Sequence, residues 1–204
     1  MITVLNLGGI MVKKIKILFV EDDKDYAYLI AKLLENEDDF EICGSAPDSR
    51  EAIRLAESLL PEVVLMDLKL LKSELDGIST AKEIRLKSDA KIIFLTACED
   101  TSVILDACKS AFASGYVFKS QKDILAETIR TAINGKTPQA TLIRELILSK
   151  LSNAEKFVLQ QVISEKQDFY TSEKTIANQK TNIFKKLGVK NSVELKKLFN
   201  SYNF

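Results

Sequence analysis

Residues 15–133 of the 204-residue chain alternate between short apolar runs and amphipathic stretches. The five runs are IKILFV (15–20), FEICG (40–44), VVLM (63–66), KIIFL (91–95) and GYVF (115–118). Short, mostly continuous and β-branched runs are typical of buried strands, and the apolar spacing between them is helical. Parallel strands need crossover connections, so the pattern predicts an α/β domain with a five-stranded parallel sheet between helices.

Polar side chains stand directly after four of these predicted strands. They are Glu21, Asp22 and Asp23 after the first, Asp67 after the third, Thr96 after the fourth and Lys119 after the fifth. Ligands of an open α/β sheet bind beyond the carboxyl ends of its strands. Clustered carboxylates repel one another unless a cation neutralises them, and Mg²⁺ combines a few carboxylates with phosphate oxygens. The sequence therefore predicts a Mg²⁺ site at this edge.

A carboxylate in such a site can serve as a nucleophile toward a phosphoryl donor, and Asp67 is placed for that role. Lys119 could pair with the phosphoryl oxygens, and Thr96 could donate a hydrogen bond to one of them. Any one of these residues could equally mark where the chain leaves the core. Their joint position at separate strand ends favours a reactive site.

The composition excludes several other classes of chemistry. The chain has no histidine, which removes imidazole bases, imidazole metal ligands and histidine-dependent triads. No apolar run approaches the length of a membrane helix, about 20 residues, so we expect no membrane association. The cysteines (Cys43, Cys98 and Cys108) are odd in number without paired spacing, which favours reduced thiols in the cytoplasm. Beyond phosphoryl transfer on itself, the chain is not expected to be an enzyme.

The motifs ILFVEDD, VVLMDLKL, IIFLTA and GYVFKS, spread over residues 14–134, resemble the receiver domain of bacterial two-component response regulators. The resemblance implies a flavodoxin-like (βα)5 fold and phosphorylation by a sensor histidine kinase. Asp67 would be the phosphoacceptor. Glu21 and Asp22 would bind Mg²⁺ together with Asp67 and the backbone carbonyl of Lys69.

The same resemblance implies a switch that responds to the phosphoryl group. Thr96 would be the switch hydroxyl, Tyr116 the switch aromatic and Lys119 the phosphate-binding lysine. The sequence departs from the family next to the acceptor, because Leu71 replaces the usual proline and the loop before Gly77 is longer. Loop insertions of this size cost little, so phosphorylation remains the expectation.

The chain after residue 134 differs in charge and pattern. Gly135 and Pro138 predict a linker over 135–150, with a short helix near 140–149. Residues 150–204 carry ten lysines against five acidic residues, which favours a polyanionic partner. LSNAEKFVLQQVISEK, SEKTIANQKTNIFKKLGV and NSVELKKLF resemble the scaffold, recognition and closing helices of the LuxR-type helix-turn-helix of the NarL/FixJ group. Residues 151–204 would then form a small all-α DNA-binding domain, whose closing helix often pairs two protomers.

The predicted recognition helix, 171–189, is amphipathic. Its inward face holds Ile176, Ile183 and Leu187, and its outward face holds Lys174, Asn178, Thr181 and Lys185. Lysine suits phosphate contacts and asparagine suits base edges. A solvated helix face would look the same in isolation, and the family resemblance favours DNA.

The family pattern is incomplete in this region. KQDFYT (166–171) occupies the place of the turn-leading helix and is too short for it, so Phe169 and Tyr170 are expected to fill the core instead. Ala177 stands where the family commonly has a lysine. Two interpretations follow. The chain is a homodimeric response regulator that binds promoter DNA after phosphorylation of Asp67, or it is a receiver whose shortened output domain binds a protein partner. Residues 1–13 are expected to be an N-terminal tail.

Overall fold

A computed structural model describes residues 13–70, 76–135, 137–165 and 172–199, and the backbone of 6–7 and 10–11. Within the predicted tail, Asn6–Leu7 and Ile10–Met11 pair as a short antiparallel ribbon. The altered loop around Leu71 lies outside the described residues. So do the shortened segment 166–171 and the expected packing of Phe169 and Tyr170.

The predicted parallel sheet is confirmed. Its strands are β1 (Ile15–Val20), β2 (Phe40–Ala46), β3 (Val63–Met66), β4 (Lys91–Thr96) and β5 (Gly115–Phe118). All neighbours pair in parallel in the order β2-β1-β3-β4-β5. The strand order reverses between β1 and β3, which is where ligands of this sheet type bind. Val20 pairs with Met66, so the residues that follow these two strands lie side by side.

Helices cover both faces of the sheet. They are α1 (Lys24–Glu35), α2 (Ser49–Leu59), α3 (Asp76–Lys87), α4 (Thr101–Ala111) and α5 (Leu125–Ile133), the last entered through a 3-10 turn, Lys119–Ile124. Successive strand residues point to opposite faces. Ile17 and Phe19 therefore pack with α1 and α5, and Leu18 and Val20 pack on the side of α2, α3 and α4.

Four further helices follow the sheet in the described part of the chain. They are α6 (Pro138–Leu148), α7 (Asn153–Ile163), α8 (Glu173–Leu187) and α9 (Ser192–Phe199). The hydroxyl of Ser172 caps α8 by accepting from the Thr175 N–H. Gly188 ends α8 at φ +63°, a left-handed conformation that a residue with a Cβ adopts only at a cost. Helices α8 and α9 both pack on α7 and enclose a small core.

This C-terminal core is continuous with the core of the sheet domain. Phe199 of α9 is fully buried and meets Phe112, just beyond α4, edge to face with ring centres 5.3 Å apart. Arg85 of α3 is 2% exposed, and its guanidinium donates to the carbonyls of Ala90 (3.1 Å) and Leu198 (2.9 Å). The side chain of Arg85 thus ties the last carbonyls of α9 to the sheet domain.

The predicted linker helix is also part of this packing. Helix α6 lies against α4 and the edge strand β5. The Gln139 carboxamide accepts from the Tyr116 N–H at 3.0 Å and donates to the Tyr116 carbonyl at 3.2 Å. Thr137 donates to the Ser114 carbonyl at 3.0 Å. Polar side chains therefore satisfy backbone groups on the open edge of the sheet, which would otherwise be free to pair with another chain.

A buried capping box in α7 gives a pH-dependent prediction. Glu155 is 3% exposed, and it accepts from the Ser152 N–H and from Lys186 Nζ, both at 2.7 Å. The ion pair with Lys186 and then the bond from Ser152 lower the pKa of the Glu155 carboxyl. We expect Glu155→Gln to reduce the free energy of unfolding by about 1–3 kcal/mol at pH 7.

The sign of the effect follows from the lowered pKa. A carboxyl whose pKa falls on folding adds stability above its unfolded pKa, about 4.3 for glutamate, and loses it as the pH falls through the folded value. Urea unfolding of wild type and Glu155→Gln should therefore differ at pH 7, and the difference should shrink as the pH falls below about 4.3 and through the lower folded pKa of Glu155. A difference that is constant with pH would contradict this role for the carboxylate.

Candidate functional site

An acidic cluster lies at the carboxyl edge of the sheet. Glu21 and Asp22 follow β1 and Asp67 follows β3, and one carboxylate oxygen from each lies within 4.8 Å of the others. Glu21 and Asp67 are 3% and 7% exposed, and Asp22 is half-buried. The structure thus brings together three of the carboxylates that the sequence singled out. The fourth, Asp23, is instead the cap of α1, accepting from the Asp25 and Tyr26 N–H groups.

Lys119 bridges two members of this acidic cluster. Its Nζ lies 2.8 Å from Asp67 Oδ2 and 2.6 Å from Glu21 Oε2. Burial acts to lower the pKa of Lys119, but the bonds to Asp67 and Glu21 outweigh it and raise the pKa. Burial raises the pKa of Glu21, and the charge of Asp67 adds to that effect. The site therefore holds one fixed positive charge among three carboxyl groups that repel one another.

The backbone around Asp67 is fixed from both sides. The Asp67 N–H donates to the Val20 carbonyl at 3.0 Å, and the Lys69 N–H donates to Asp67 Oδ1 at 3.3 Å. Gly77, in the first turn of α3, packs so closely that a Cβ there would overlap the Asp67 carbonyl oxygen. Only glycine allows this approach. The Asp-Gly pair that follows the loop thus positions the backbone of Asp67.

The two predicted switch residues occupy neighbouring strands. Thr96 ends β4, is 1% exposed, and its hydroxyl accepts from the Cys98 N–H at 3.0 Å. Tyr116 lies in β5, half-buried, with its ring against Phe118 at 5.6 Å. Both stand on the side of the sheet that carries α4 and α6. Their roles as a switch remain predictions.

Sequence reasoning missed Tyr26 in the first turn of α1. Lys119 Nζ lies 4.5 Å from the centre of its ring, so the ring covers the ammonium group of the site. Burial raises the pKa of the Tyr26 hydroxyl to about 12, and the charges of Glu21 and Asp67 contribute. A tyrosine five residues after Glu21 carries no sequence signal of its own, because the contact depends on how α1 packs.

The predicted faces of α8 match their burial in the structure. The inward residues Ile176, Ile183 and Leu187 are 8%, 0% and 8% exposed. The outward residues Lys174, Asn178, Thr181 and Lys185 are all exposed. The Thr181 hydroxyl donates to the Ala177 carbonyl within the helix. The basic, amide-bearing face of α8 is therefore accessible to a partner.

Comparison with known proteins agrees with this fold. The family model for the response regulator receiver domain matches residues 17–133. The transcriptional regulatory protein YdfI of Bacillus subtilis is 27% identical, over 88% of this chain and 92% of its own. A nitrate/nitrite response regulator homologue from Haemophilus influenzae is 29% identical over 95% of this chain and 100% of its own.

Solved structures extend the likeness beyond the receiver. The response regulator RcsB in its DNA complex is 25% identical with a TM-score of 0.56, over 94% of this chain and 100% of that chain. The chain belongs to the response regulators that carry this receiver domain. Its relatives include transcriptional regulators of the LuxR-type group. Within the part of the chain that the structure describes, no helix is long and apolar enough to cross a membrane.

Proposed function

We propose that this chain is a phosphorylation-controlled transcription regulator in which Asp67 accepts a phosphoryl group from a sensor histidine kinase. The observation that carries the proposal is the contact of Lys119 with Asp67 and Glu21, within an acidic cluster at the switch point of the sheet. Residues 14–134 would form the receiver, 135–150 the linker and 151–204 the output domain.

The carboxyl cluster suits a divalent cation. Three carboxylate oxygens within 4.8 Å of one another, half-buried or buried, are the hard donors that Mg²⁺ takes, and we propose Glu21, Asp22, Asp67 and the Lys69 carbonyl as its ligands. When bound, Mg²⁺ neutralises charge on the phosphoryl oxygens.

The transfer itself would proceed in one displacement at phosphorus. A carboxylate oxygen of Asp67 attacks the phosphorus of the donor, a new P–O bond forms, and the P–N bond to the kinase histidine breaks. The histidine nitrogen keeps the bonding electron pair. The ammonium group of Lys119 would leave its ion pair with Asp67 and bind a phosphoryl oxygen instead. The hydroxyl of Thr96 would donate a hydrogen bond to another phosphoryl oxygen.

A direct path leads from this site to the output helices. Thr96 and Tyr116 stand on adjacent strands, and the backbone of Tyr116 is bonded through Gln139 to α6. A change in packing at Thr96 and Tyr116 would therefore displace the start of the helix that leads to the C-terminal core. Phosphorylation at Asp67 would thus be a local change that alters the packing of the distant output helices.

We further propose that the outward face of α8 contacts promoter DNA, with Lys174 and Lys185 at phosphates and Asn178 and Thr181 toward bases.

We also propose that the chain acts as a homodimer. Leu142 and Leu146, one turn apart on α6, are 65% and 36% exposed and offer an apolar stripe for self-association. Sedimentation equilibrium would give the assembled mass.

Salt dependence tests the DNA face most simply. We expect the affinity of the full chain for mixed duplex DNA to fall steeply as salt rises, because each lysine at a phosphate releases a counterion. Lys174→Gln and Lys185→Gln should each reduce the slope of log affinity against log salt by about one. Fluorescence anisotropy at four or five salt concentrations measures both the affinity and the slope.

A matched control removes the same charge elsewhere. Lys24→Gln changes an exposed lysine of α1, distant in sequence from the output domain, and should leave the slope unchanged. If neither α8 variant differs from Lys24→Gln, the basic face is not a DNA surface. The absence of any DNA binding at low salt would favour the alternative, an output domain that binds a protein.

A further inference from the structure

A small pocket lies where the receiver, the linker helix and the output helices meet. It measures about 200 Å³, and its walls come from α3, α4, α8 and the end of α6. Five lysines line it: Lys82, Lys109, Lys150, Lys185 and Lys186. Apart from the adjacent Lys185 and Lys186, they lie far apart in the sequence, and the docking of the two domains brings them together.

Within the described part of the chain, three of these ammonium groups form no ion pair with a carboxylate. Lys109 pairs with Asp106 at 2.6 Å, and Lys186 pairs with Glu155 at 2.7 Å. Among the residues that the structure describes, Lys82, Lys150 and Lys185 form no salt bridge. Lys82 donates instead to the Gly188 carbonyl at 2.6 Å. Burial lowers the pKa of Lys82, the charge of Glu194 opposes that effect, and the charge of Lys150 adds to it. Among the described residues, the five lysines of the pocket thus outnumber the carboxylates that pair with them.

The ends of three helices explain why lysines gather here. Helices α4, α6 and α8 all end at this pocket, and a helix C-terminus attracts cations through about half a negative charge. That attraction is weak and distributed. It leaves the ammonium donors of Lys150 and Lys185 without an acceptor in the described structure, which a bound anion would supply.

The size and chemistry of the pocket limit what the anion can be. Sites for whole organic ligands usually measure about 300–1,000 Å³, so this pocket suits a compact group. A compact group that can satisfy several ammonium donors from different directions needs several anionic oxygens, as phosphates have. The geometry points to a phosphate-binding pocket at the domain interface, filled by a small polyphosphate anion or by a phosphate of bound DNA.

Both sources would stabilise the docked arrangement, because Lys82 and Lys109 belong to the receiver whereas Lys185 and Lys186 belong to the output domain. The lysines that line the pocket would attract a phosphate group whether or not α8 binds DNA. Lys185, however, lies in both the pocket and the proposed DNA face. A free polyphosphate would therefore compete with DNA at that residue.

Titration of the full chain with inorganic pyrophosphate tests the free-anion source. Isothermal titration calorimetry in buffer without divalent cations should show one site, and sodium sulfate at equal ionic strength should bind more weakly. We expect Lys109→Gln and Lys150→Gln each to weaken pyrophosphate roughly tenfold. Lys174→Gln is the matched control, since it removes a lysine of α8 about 16 Å along the helix from Lys185.

The DNA-phosphate source is tested with the same variants, by measuring how their affinity for duplex DNA changes with salt concentration. If a DNA phosphate fills the pocket, Lys109→Gln and Lys150→Gln will each lower the salt slope by about one, although neither lies on α8. Uptake of a phosphoryl group from acetyl phosphate, which needs neither lysine, checks that the variants fold.

Together, the pyrophosphate and DNA experiments distinguish the two sources of the anion, and one combined outcome rules the pocket out. Loss of pyrophosphate binding in the variants supports a free anion, and a lower DNA slope supports a backbone phosphate. No pyrophosphate binding in wild type combined with unchanged DNA slopes would overturn the pocket. The control distinguishes this failure from failure of the DNA proposal, because Lys174→Gln should weaken DNA binding and spare pyrophosphate.

Discussion

Asp67→Asn should abolish phosphoryl uptake from acetyl phosphate and Mg²⁺, while wild type gains the mass of one phosphoryl group. In wild type the Asp67 carboxylate attacks phosphorus, the bond between phosphorus and the acyl oxygen breaks, and acetate leaves with the electron pair. An amide is a far weaker nucleophile and carries no charge for Mg²⁺. The residue keeps its size and its place between β1 and α3, so the variant should remain folded. Intact-protein mass spectrometry over time measures the uptake.

Asp89→Asn is the matched control for this experiment. Asp89 is exposed and precedes β4, so it lies at the opposite edge of the sheet from Asp67. The same chemical change there should leave uptake at the wild-type rate. Uptake by Asp67→Asn at a rate equal to wild type would mean that another residue is the acceptor.

Phe199→Ala should destabilise the whole chain by about 3–5 kcal/mol, the usual cost of removing a buried phenyl group. Phe199 is fully buried against Phe112, and the core that they join extends from the sheet to α9. Urea unfolding should therefore show one cooperative transition in wild type that moves as a unit in the variant. The neighbouring guanidinium of Arg85 adds to the same interface through the Leu198 carbonyl.

Val193→Ala serves as the control on the same helix. Val193 is 74% exposed, so its truncation should change the free energy of unfolding by no more than about 0.5 kcal/mol. A cost for Phe199→Ala as small as that of Val193→Ala would show that α9 does not dock on the receiver. Two separate unfolding transitions would show that the domains have independent cores.

The sheet and its site could be predicted because their signals are local. Each buried strand is a short apolar run, and Glu21, Asp67 and Lys119 each directly follow a strand, so a parallel topology suffices to bring them together. The faces of α8 were predictable for the same reason. Helical spacing alone separates Ile183, which is fully buried, from Lys185, which is exposed.

The contact between the domains was not predictable from these patterns. Charge and composition suggested two domains with a linker, whereas α6 and α9 pack on the receiver and share its core. Periodicity shows that Phe199 and Ile147 lie on apolar faces, but it does not show which surface covers them. Arg85 gives no sequence signal either, because a buried arginine depends on carbonyls that come from α9. The lysine pocket follows from the same docking.

Genome-wide crosslinking of wild type and Asp67→Ala tests the central claim, that phosphorylation of Asp67 controls promoter binding, most directly. Under conditions that activate the kinase, wild type should be enriched at a defined set of promoters, and that occupancy should change when Asp67 is replaced. No enriched promoter in wild type, or the same occupancy in both proteins, would contradict the account.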